Sequence, residues 1–243
     1  MPLIVIPARM AATRLPGKPM ADIAGRPMIA WMADIALKAG QGPVIVAAAE
    51  TEVAAAAQSA GAEAVLTDPA LPSGTDRVYA AALAFDPAAE HDIVVNLQGD
   101  MPTVAPETIA RAVAVLVESG ADIATLVSPS TAAEDRDNPN VVKAVIAFRR
   151  EDQGRALYFT RAAAPTGPGP IWRHLGIYVY RRAALARFVA ASPSLLEQRE
   201  KLEQLRALEL GMTIEAGVVS DFPKGVDSPE DLANARAILE ART

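Results

Sequence analysis

The chain contains no cysteine. A disulfide framework, a thiolate metal site and a catalytic thiol are therefore all excluded. It also lacks an excess of positive charge, because 23 lysines and arginines stand against 29 aspartates and glutamates, a formal net charge of -6. Polyanionic nucleic acids and anionic membranes recruit proteins with a basic face, so neither partner is expected. No apolar stretch reaches the roughly 18 residues needed to span a bilayer. The start, Met1-Pro-Leu-Ile-Val-Ile-Pro7, carries no basic segment or cleavage site of a targeting signal. A soluble cytoplasmic protein is the expectation. Two nucleotide signatures are missing as well. Lys18 is followed by Pro19 and has no glycine five residues before Gly17, which rules out a P-loop, and Pro7-Ala-Arg-Met-Ala-Ala12 lacks every glycine of a dinucleotide fingerprint.

What the chain has is length and apolar content. At 243 residues and 51% hydrophobic composition it can bury a large core, which fits one large domain over 1–243 or a domain with a small subdomain. Apolar, β-branched runs at 3–6, 43–47, 63–66, 93–97 and 123–127 alternate with alanine-rich helical patterns near 27–39, 51–60, 75–85 and 106–118. That rhythm predicts an α/β protein, a Rossmann-like and mainly parallel but mixed sheet with helices on both faces. After about residue 128 the rhythm changes. Strand-like pieces at 141–147, 156–160 and 175–180, with a Pro/Gly-rich loop at 165–170, predict a small antiparallel extension over about 128–182. Helices are expected at 182–191, 193–210 and 229–242, with a strand at 213–219.

Three cations, Arg9, Arg14 and Lys18, crowd the loop after the first strand, in Ile6-Pro-Ala-Arg-Met-Ala-Ala-Thr-Arg-Leu-Pro-Gly-Lys-Pro19. The carboxyl edge of an open α/β sheet is where ligands bind, so a cationic loop there predicts a small polyanion such as a nucleoside triphosphate. Pro7, Pro16 and Pro19 stiffen the loop and Gly17 permits close backbone approach. A merely solvated turn has no need of that stiffening.

Asp100, in Leu97-Gln-Gly-Asp-Met-Pro102, follows the strand at 93–97 and so lies at the same edge. It reads either as a turn former or as a carboxylate holding Mg²⁺, a hard cation that takes oxygen ligands. In Gly225-Val-Asp-Ser-Pro-Glu-Asp231, Ser228 is the better helix cap, with Pro229 at the first helical position and Asp231 at the third. Asp227 is then left over, as a surface residue or a second Mg²⁺ ligand. Ser73-Gly-Thr-Asp-Arg77 reads as a helix cap whose amides and hydroxyls could also meet the polar edge of a base. His174 alternates with Gly176 and Tyr178 on one strand face, and Glu203 and Gln204 flank a leucine stripe. For these last residues a structural and a ligand-binding reading both stand.

Eight ordered segments together resemble one family, the 3-deoxy-manno-octulosonate (Kdo) cytidylyltransferases. They are the opening loop, Ser73-Gly-Thr-Asp-Arg77, Asn96-Leu-Gln-Gly-Asp100, Asn138-Pro-Asn-Val-Val-Lys143, Tyr158-Phe-Thr-Arg161, Arg173-His-Leu-Gly-Ile-Tyr178, Lys201-Leu-Glu-Gln-Leu-Arg206 and Gly225-Val-Asp-Ser-Pro-Glu-Asp231. The resemblance implies transfer of CMP from CTP to the anomeric hydroxyl of Kdo for lipopolysaccharide assembly, with a related sugar acid of the 8-amino-Kdo or sialic-acid type as the alternative acceptor. It implies that Arg9 and Lys18 bind the triphosphate with Arg14 in support, and that Ala8, Ser73, Gly74 and Arg77 meet cytosine. Asp100 and Asp227 would hold Mg²⁺. Gln98, Arg161, His174, Tyr178, Glu203 and Gln204 would line the Kdo site, and the region 128–182 would serve sugar binding and homodimerisation. The chain departs from the family at Met101, where glutamate is usual.

Overall fold

A computed structural model describes residues 1–11 and 15–241. In chain order it comprises β1 (Leu3–Ala8), a 3-10 turn (Lys18–Met20), β2 (Asp22–Ile23), β3 (Arg26–Pro27), α1 (Met28–Lys38), β4 (Val44–Ala48), α2 (Thr51–Ser59), β5 (Glu63–Leu66), α3 (Gly74–Phe85), β6 (Ile93–Leu97) and α4 (Pro106–Ser119). There follow β7 (Ile123–Ser130), α5 (Ala133–Asp137), β8 (Lys143–Arg150), β9 (Gln153–Thr160), β10 (Ile171–Arg181), α6 (Arg182–Ala190), α7 (Leu195–Glu200), α8 (Gln204–Glu209), β11 (Ile214–Val218) and α9 (Pro229–Glu240). The described residues divide into two compact units, 1–110 with 223–241, and 111–222.

The first unit is a parallel sheet in the order β5-β4-β1-β6. Ile4 lies beside Val44 and Leu3 beside Val94, so β1 is central and carries no polar side chain. Leu3, Ile4, Val5 and Ile6 are all fully buried, as expected of a strand covered on both faces. α1 and α2 pack together and onto β4, while α3 packs across β1, β4, β5 and β6. Met28, Ile29, Met32, Ile35 and Ala36 recur at helical spacing and form the buried stripe of α1. Each strand therefore delivers its carboxyl end, and the loop that follows, to the same edge.

Two further details of this unit position the site. Ser228 caps α9 by accepting from the Asp231 amide, and the Asp231 side chain accepts in return from the Ser228 amide, with Pro229 in the first turn. The box expected from the sequence is thus formed. Ser73 caps α3, accepting from the amides of Thr75 and Asp76.

The second unit is mixed. β7 pairs in parallel with β11 and antiparallel with β10, and β9 pairs antiparallel with β8 and β11. The antiparallel pairing expected after residue 128 is present. The continuous helix expected over 193–210 is instead two, because Lys201 adopts a left-handed conformation, φ 54°, that ends α7 before α8 begins. A lysine in that conformation is uncommon and leaves no trace in hydrophobic periodicity.

Candidate active site

The cationic loop is built on two backbone anchors. The Gly17 amide donates to the Met10 carbonyl at 3.1 Å, closing the loop across its base, with Gly17 in the left-handed region at φ 70°. The Met10 amide in turn donates to both carboxylate oxygens of Glu50, each at 3.1 Å, from the residue that precedes α2. Glu50 escaped the sequence reading because Glu-Thr before a helical pattern looks like an ordinary helix start. Its position two residues past a buried parallel strand was the available signal.

Lys18 leads out of this loop and is the electrostatic hub of the unit. Its Nζ donates to Asp100 Oδ2 at 2.7 Å and to Asp227 Oδ1 at 3.0 Å, with only 16% of its side chain exposed. The sequence positions 18, 100 and 227 thus meet at one point. The two aspartates are set by backbone as well. The Val226 amide donates to the Asp100 carbonyl at 2.8 Å, and the Asp227 amide donates to Asp231 Oδ2 at 3.1 Å. Burial alone would raise the Asp231 carboxyl, but hydrogen bonds from the Ser228 side chain and the two amides, with Lys224 nearby, hold it below the usual carboxylate range. It stays ionised and locks the turn that carries Asp227.

A cavity of about 290 Å³ opens beside Lys18, lined by Pro7, Ala8, Arg9, Ser73, Gly74, Arg77, Gln98 and Asp100 among others. Ala8, Arg9, Lys18, Ser73, Gly74, Arg77, Gln98 and Asp100, eight of the candidate binding residues of the sequence, therefore share one cavity wall, and Asp227 joins them through Lys18. Arg14 lies outside the described residues. Gly99 suits a close approach, since a Cβ there would sit 3.0 Å from the Pro7 carbonyl oxygen and the backbone would have to give by a few tenths of an ångström. That close approach brings the ends of β1 and β6 together. Gln98 Nε2 donates to Asn96 Oδ1 at 2.8 Å, and Asn96 Nδ2 donates to Thr75 Oγ1 at 3.2 Å, a buried relay that sets the amide facing the cavity.

Arg77 is 2% exposed, and its guanidinium donates to Thr67 Oγ1 and, at 3.5 Å, to the Pro69 carbonyl. Burial lowers its pKa, as does the nearby Arg9 charge, against the opposing pull of Glu50 and Asp68. An arginine remains charged under such a shift. Its charge thus stands in the cavity wall, where it favours an anionic occupant. Met101, by contrast, is 4% exposed and belongs to the core. It offers the site nothing polar.

The second unit holds the other candidates. His174 Nε2 lies 2.9 Å from Thr125 Oγ1, its ring 4.9 Å from Phe159 and 5.4 Å from Tyr178. Burial lowers its pKa to about 3, so the ring is neutral at pH 7. Tyr178 is pushed well above its ordinary value by burial, then by Tyr180 and Glu203, which places Glu203 within electrostatic reach of it. Gln204 is 5% exposed and its Nε2 makes no hydrogen bond. Arg161 is turned elsewhere. Its Nε donates to the Glu200 carbonyl at 2.9 Å and its Nη1 to the Pro139 carbonyl at 2.9 Å. His174 and Tyr178 are thus neighbours, while the Arg161 guanidinium braces the end of α7.

The carboxylate pair fits a hard divalent cation. Asp100 and Asp227 already converge on one positive charge, the Lys18 ammonium, and both offer oxygen donors. No group of three or more His, Cys, Asp or Glu side chains suited to a metal occurs among the described residues. Any such cation would complete its shell with water and the oxygens of a bound anion, which is the habit of Mg²⁺ at phosphate sites.

Comparison with known proteins gives a consistent picture. Residues 3–214 match a family model described as cytidylyltransferase. The 3-deoxy-manno-octulosonate cytidylyltransferase of Parvibaculum lavamentivorans is 59% identical over 242 residues, covering 100% of this chain and 94% of its own. The protein of the same name from Rhodospirillum rubrum is 58% identical, covering 98% and 95%. A solved structure of CMP:2-keto-3-deoxy-manno-octonic acid synthetase complexed with CTP superposes with a TM-score of 0.90 at 36% identity, covering 100% of this chain and 99% of that one.

Proposed function

We propose that this chain, which belongs to the 3-deoxy-manno-octulosonate cytidylyltransferase family, transfers CMP from CTP to the anomeric hydroxyl of Kdo and releases pyrophosphate. The observation that carries the reading is the convergence of Lys18, Asp100 and Asp227 beside a cavity walled by the Arg9 loop and the start of α3. Attack at the α-phosphorus piles negative charge on the phosphoryl oxygens and the departing pyrophosphate. Catalysis is then chiefly positioning and electrostatic stabilisation.

The roles follow from chemistry. Arg9, which projects from the surface, and Lys18 bind the triphosphate, with Arg14 in support; Arg77 adds positive potential from the cavity wall and, with Ala8, Ser73 and Gly74, forms the base side. Gln98, oriented through Asn96, presents an amide to the bound substrate. Mg²⁺ held by Asp100 and Asp227 would neutralise phosphate charge and acidify the attacking hydroxyl. In the second unit, Tyr178, His174, Glu203 and Gln204 are the proposed determinants for the acidic sugar; Arg161, held by the Glu200 and Pro139 carbonyls, would have to turn from them to join it. The neutral His174 can hold or accept a hydrogen bond but adds no charge at pH 7.

The product is an activated acid sugar for lipopolysaccharide assembly, made in the cytoplasm where CTP is available. No helix among the described residues is long and apolar enough to cross a membrane. A homodimer through the region 128–182 is supported by Phe148 and Leu157 on β8 and β9, 37% and 55% exposed.

The test is pyrophosphate release with CTP, UTP, ATP and GTP against Kdo, 8-amino-Kdo and sialic acid, all with Mg²⁺. CTP with Kdo is expected to be the best pair, and no release from it overturns the assignment. Because Met101 replaces an acidic residue, 8-amino-Kdo belongs in the panel, and a preference for it would move the acceptor to the related sugar acid.

A further inference from the structure

The Lys18 ammonium lies where a cation bridging Asp100 and Asp227 would lie, in contact with one oxygen of each. We infer that Lys18 is a built-in counter-ion that keeps the metal site closed until nucleotide arrives, then moves to the phosphates as the divalent cation takes its place. The inference rests on the reading that Asp100 and Asp227 hold that cation.

Three observations carry it. First, the two carboxylates would repel each other across the site if they were alone, and the Lys18 ammonium contacts an oxygen of each. Second, the backbone already fixes the pair, through the Val226 amide on the Asp100 carbonyl and Asp231 on the Asp227 amide, so the carboxylates need no metal to converge. Lys18 is the movable member, because a lysine has a four-carbon stem and three rotatable donors. Third, Lys18 itself lines the cavity, as does Arg9, so anions entering there have a cation within reach that can change partner.

The exchange is favourable only when both ligands come together. Without nucleotide, a divalent cation must displace the tethered ammonium and leave it with no anion to meet. With a triphosphate present, the displaced ammonium pairs with phosphate and the metal takes the carboxylates and phosphate oxygens. Metal and nucleotide are therefore coupled through one side chain, and by linkage each must raise the affinity for the other.

The measurement is binding of Mn²⁺, as a spectroscopic substitute, by electron paramagnetic resonance on the full chain without Kdo. Lys18→Gln and Lys18→Met, each checked for folding by circular dichroism, are expected to bind Mn²⁺ without nucleotide roughly tenfold more tightly than the wild type, within the usual range of coupling between sites. Adding Asp100→Asn to Lys18→Gln must abolish that gain. Wild-type Mn²⁺ binding is expected to tighten when CTP is added, beyond the amount bound by CTP alone. If both lysine variants bind no better than the wild type while CTP still recruits Mn²⁺ to the wild type, the counter-ion role is wrong and the metal site stands. If no protein binds Mn²⁺ under any condition, the metal site itself is wrong, and the inference goes with it.

Discussion

Lys18 and Lys143 are the same residue in two very different settings. In the first unit, Lys18 stands at the rim of a cavity with its ammonium between two carboxylates that are 28% and 44% exposed. In the second, Lys143 is fully buried at the start of β8 and donates to the carbonyls of Asn138, Val141 and Arg161 at 2.7, 2.9 and 2.9 Å. All three of those partners are backbone groups, and burial lowers the pKa of the Lys143 amine. One lysine ties down a turn. The other faces ionic partners that can be exchanged for a ligand, and that difference in partner, more than residue type, separates site from scaffold.

The same contrast divides the arginines. Arg206 donates to Glu197 at 2.6 and 2.8 Å, stacks on Phe188 at 4.6 Å and is 5% exposed, so its charge is consumed inside the second unit. Arg9 is exposed beside the cavity, where its charge meets whatever enters.

The sharpest way to break the comparison is at the carboxylates. Asp100→Ala should lower kcat/KM for pyrophosphate release by roughly 1,000-fold, the scale of removing a main electrostatic stabiliser, with little change in circular dichroism. Wild-type turnover in that variant would remove Asp100 from the chemistry. Lys143→Met should act in the opposite manner, removing the ammonium that donates to the Asn138, Val141 and Arg161 carbonyls and lowering stability by about 3 kcal/mol in urea titrations. If it changed KM for CTP at unchanged stability, Lys143 would have to be moved from scaffold to site.

A smaller effect concerns His174. Its folded pKa of about 3 lies below the ordinary 6.5, so the unfolded chain binds the extra proton between those values. Its contribution is complete above pH 6.5 and is lost as pH falls toward 3. His174 as a residue is only partly buried, so His174→Gln should reduce the stability difference between pH 7 and pH 5 by about 1 kcal/mol, less than the full linkage value. An unchanged pH slope would mean that His174 titrates normally. The smallest effect is expected at Glu50→Gln, which keeps one accepting oxygen for the Met10 amide but removes the charge, and should raise KM for CTP roughly five-fold, or about 1 kcal/mol. A change in kcat alone would contradict a role in placing the loop.

Much of this arrangement was legible in the sequence, for physical reasons. Strands β1 and β4 announce themselves because strands buried on both faces need unbroken apolar runs, and the carboxyl edge then follows from the alternation with helices. The Ser228-Pro229-Asp231 cap was readable because it is local chemistry. What could not be read is what depends on distant partners. Nothing in the sequence pairs Glu50 with Met10, or sets Thr67 against Arg77, since those contacts exist only once the sheet has formed. Lys201 ends α7 in a conformation its type seldom adopts, and no pattern signals it. Arg161 shows the same limit, because a motif arginine can reach a ligand or, as its hydrogen bonds to Glu200 and Pro139 have it, brace a helix end.

The most direct test of the account is a phosphorus NMR time course of the protein with CTP, Kdo and Mg²⁺. The account predicts that the three CTP resonances decay together into free pyrophosphate and one new phosphodiester signal from the CMP-sugar. Release of free CMP with pyrophosphate, or CTP left intact, would contradict it.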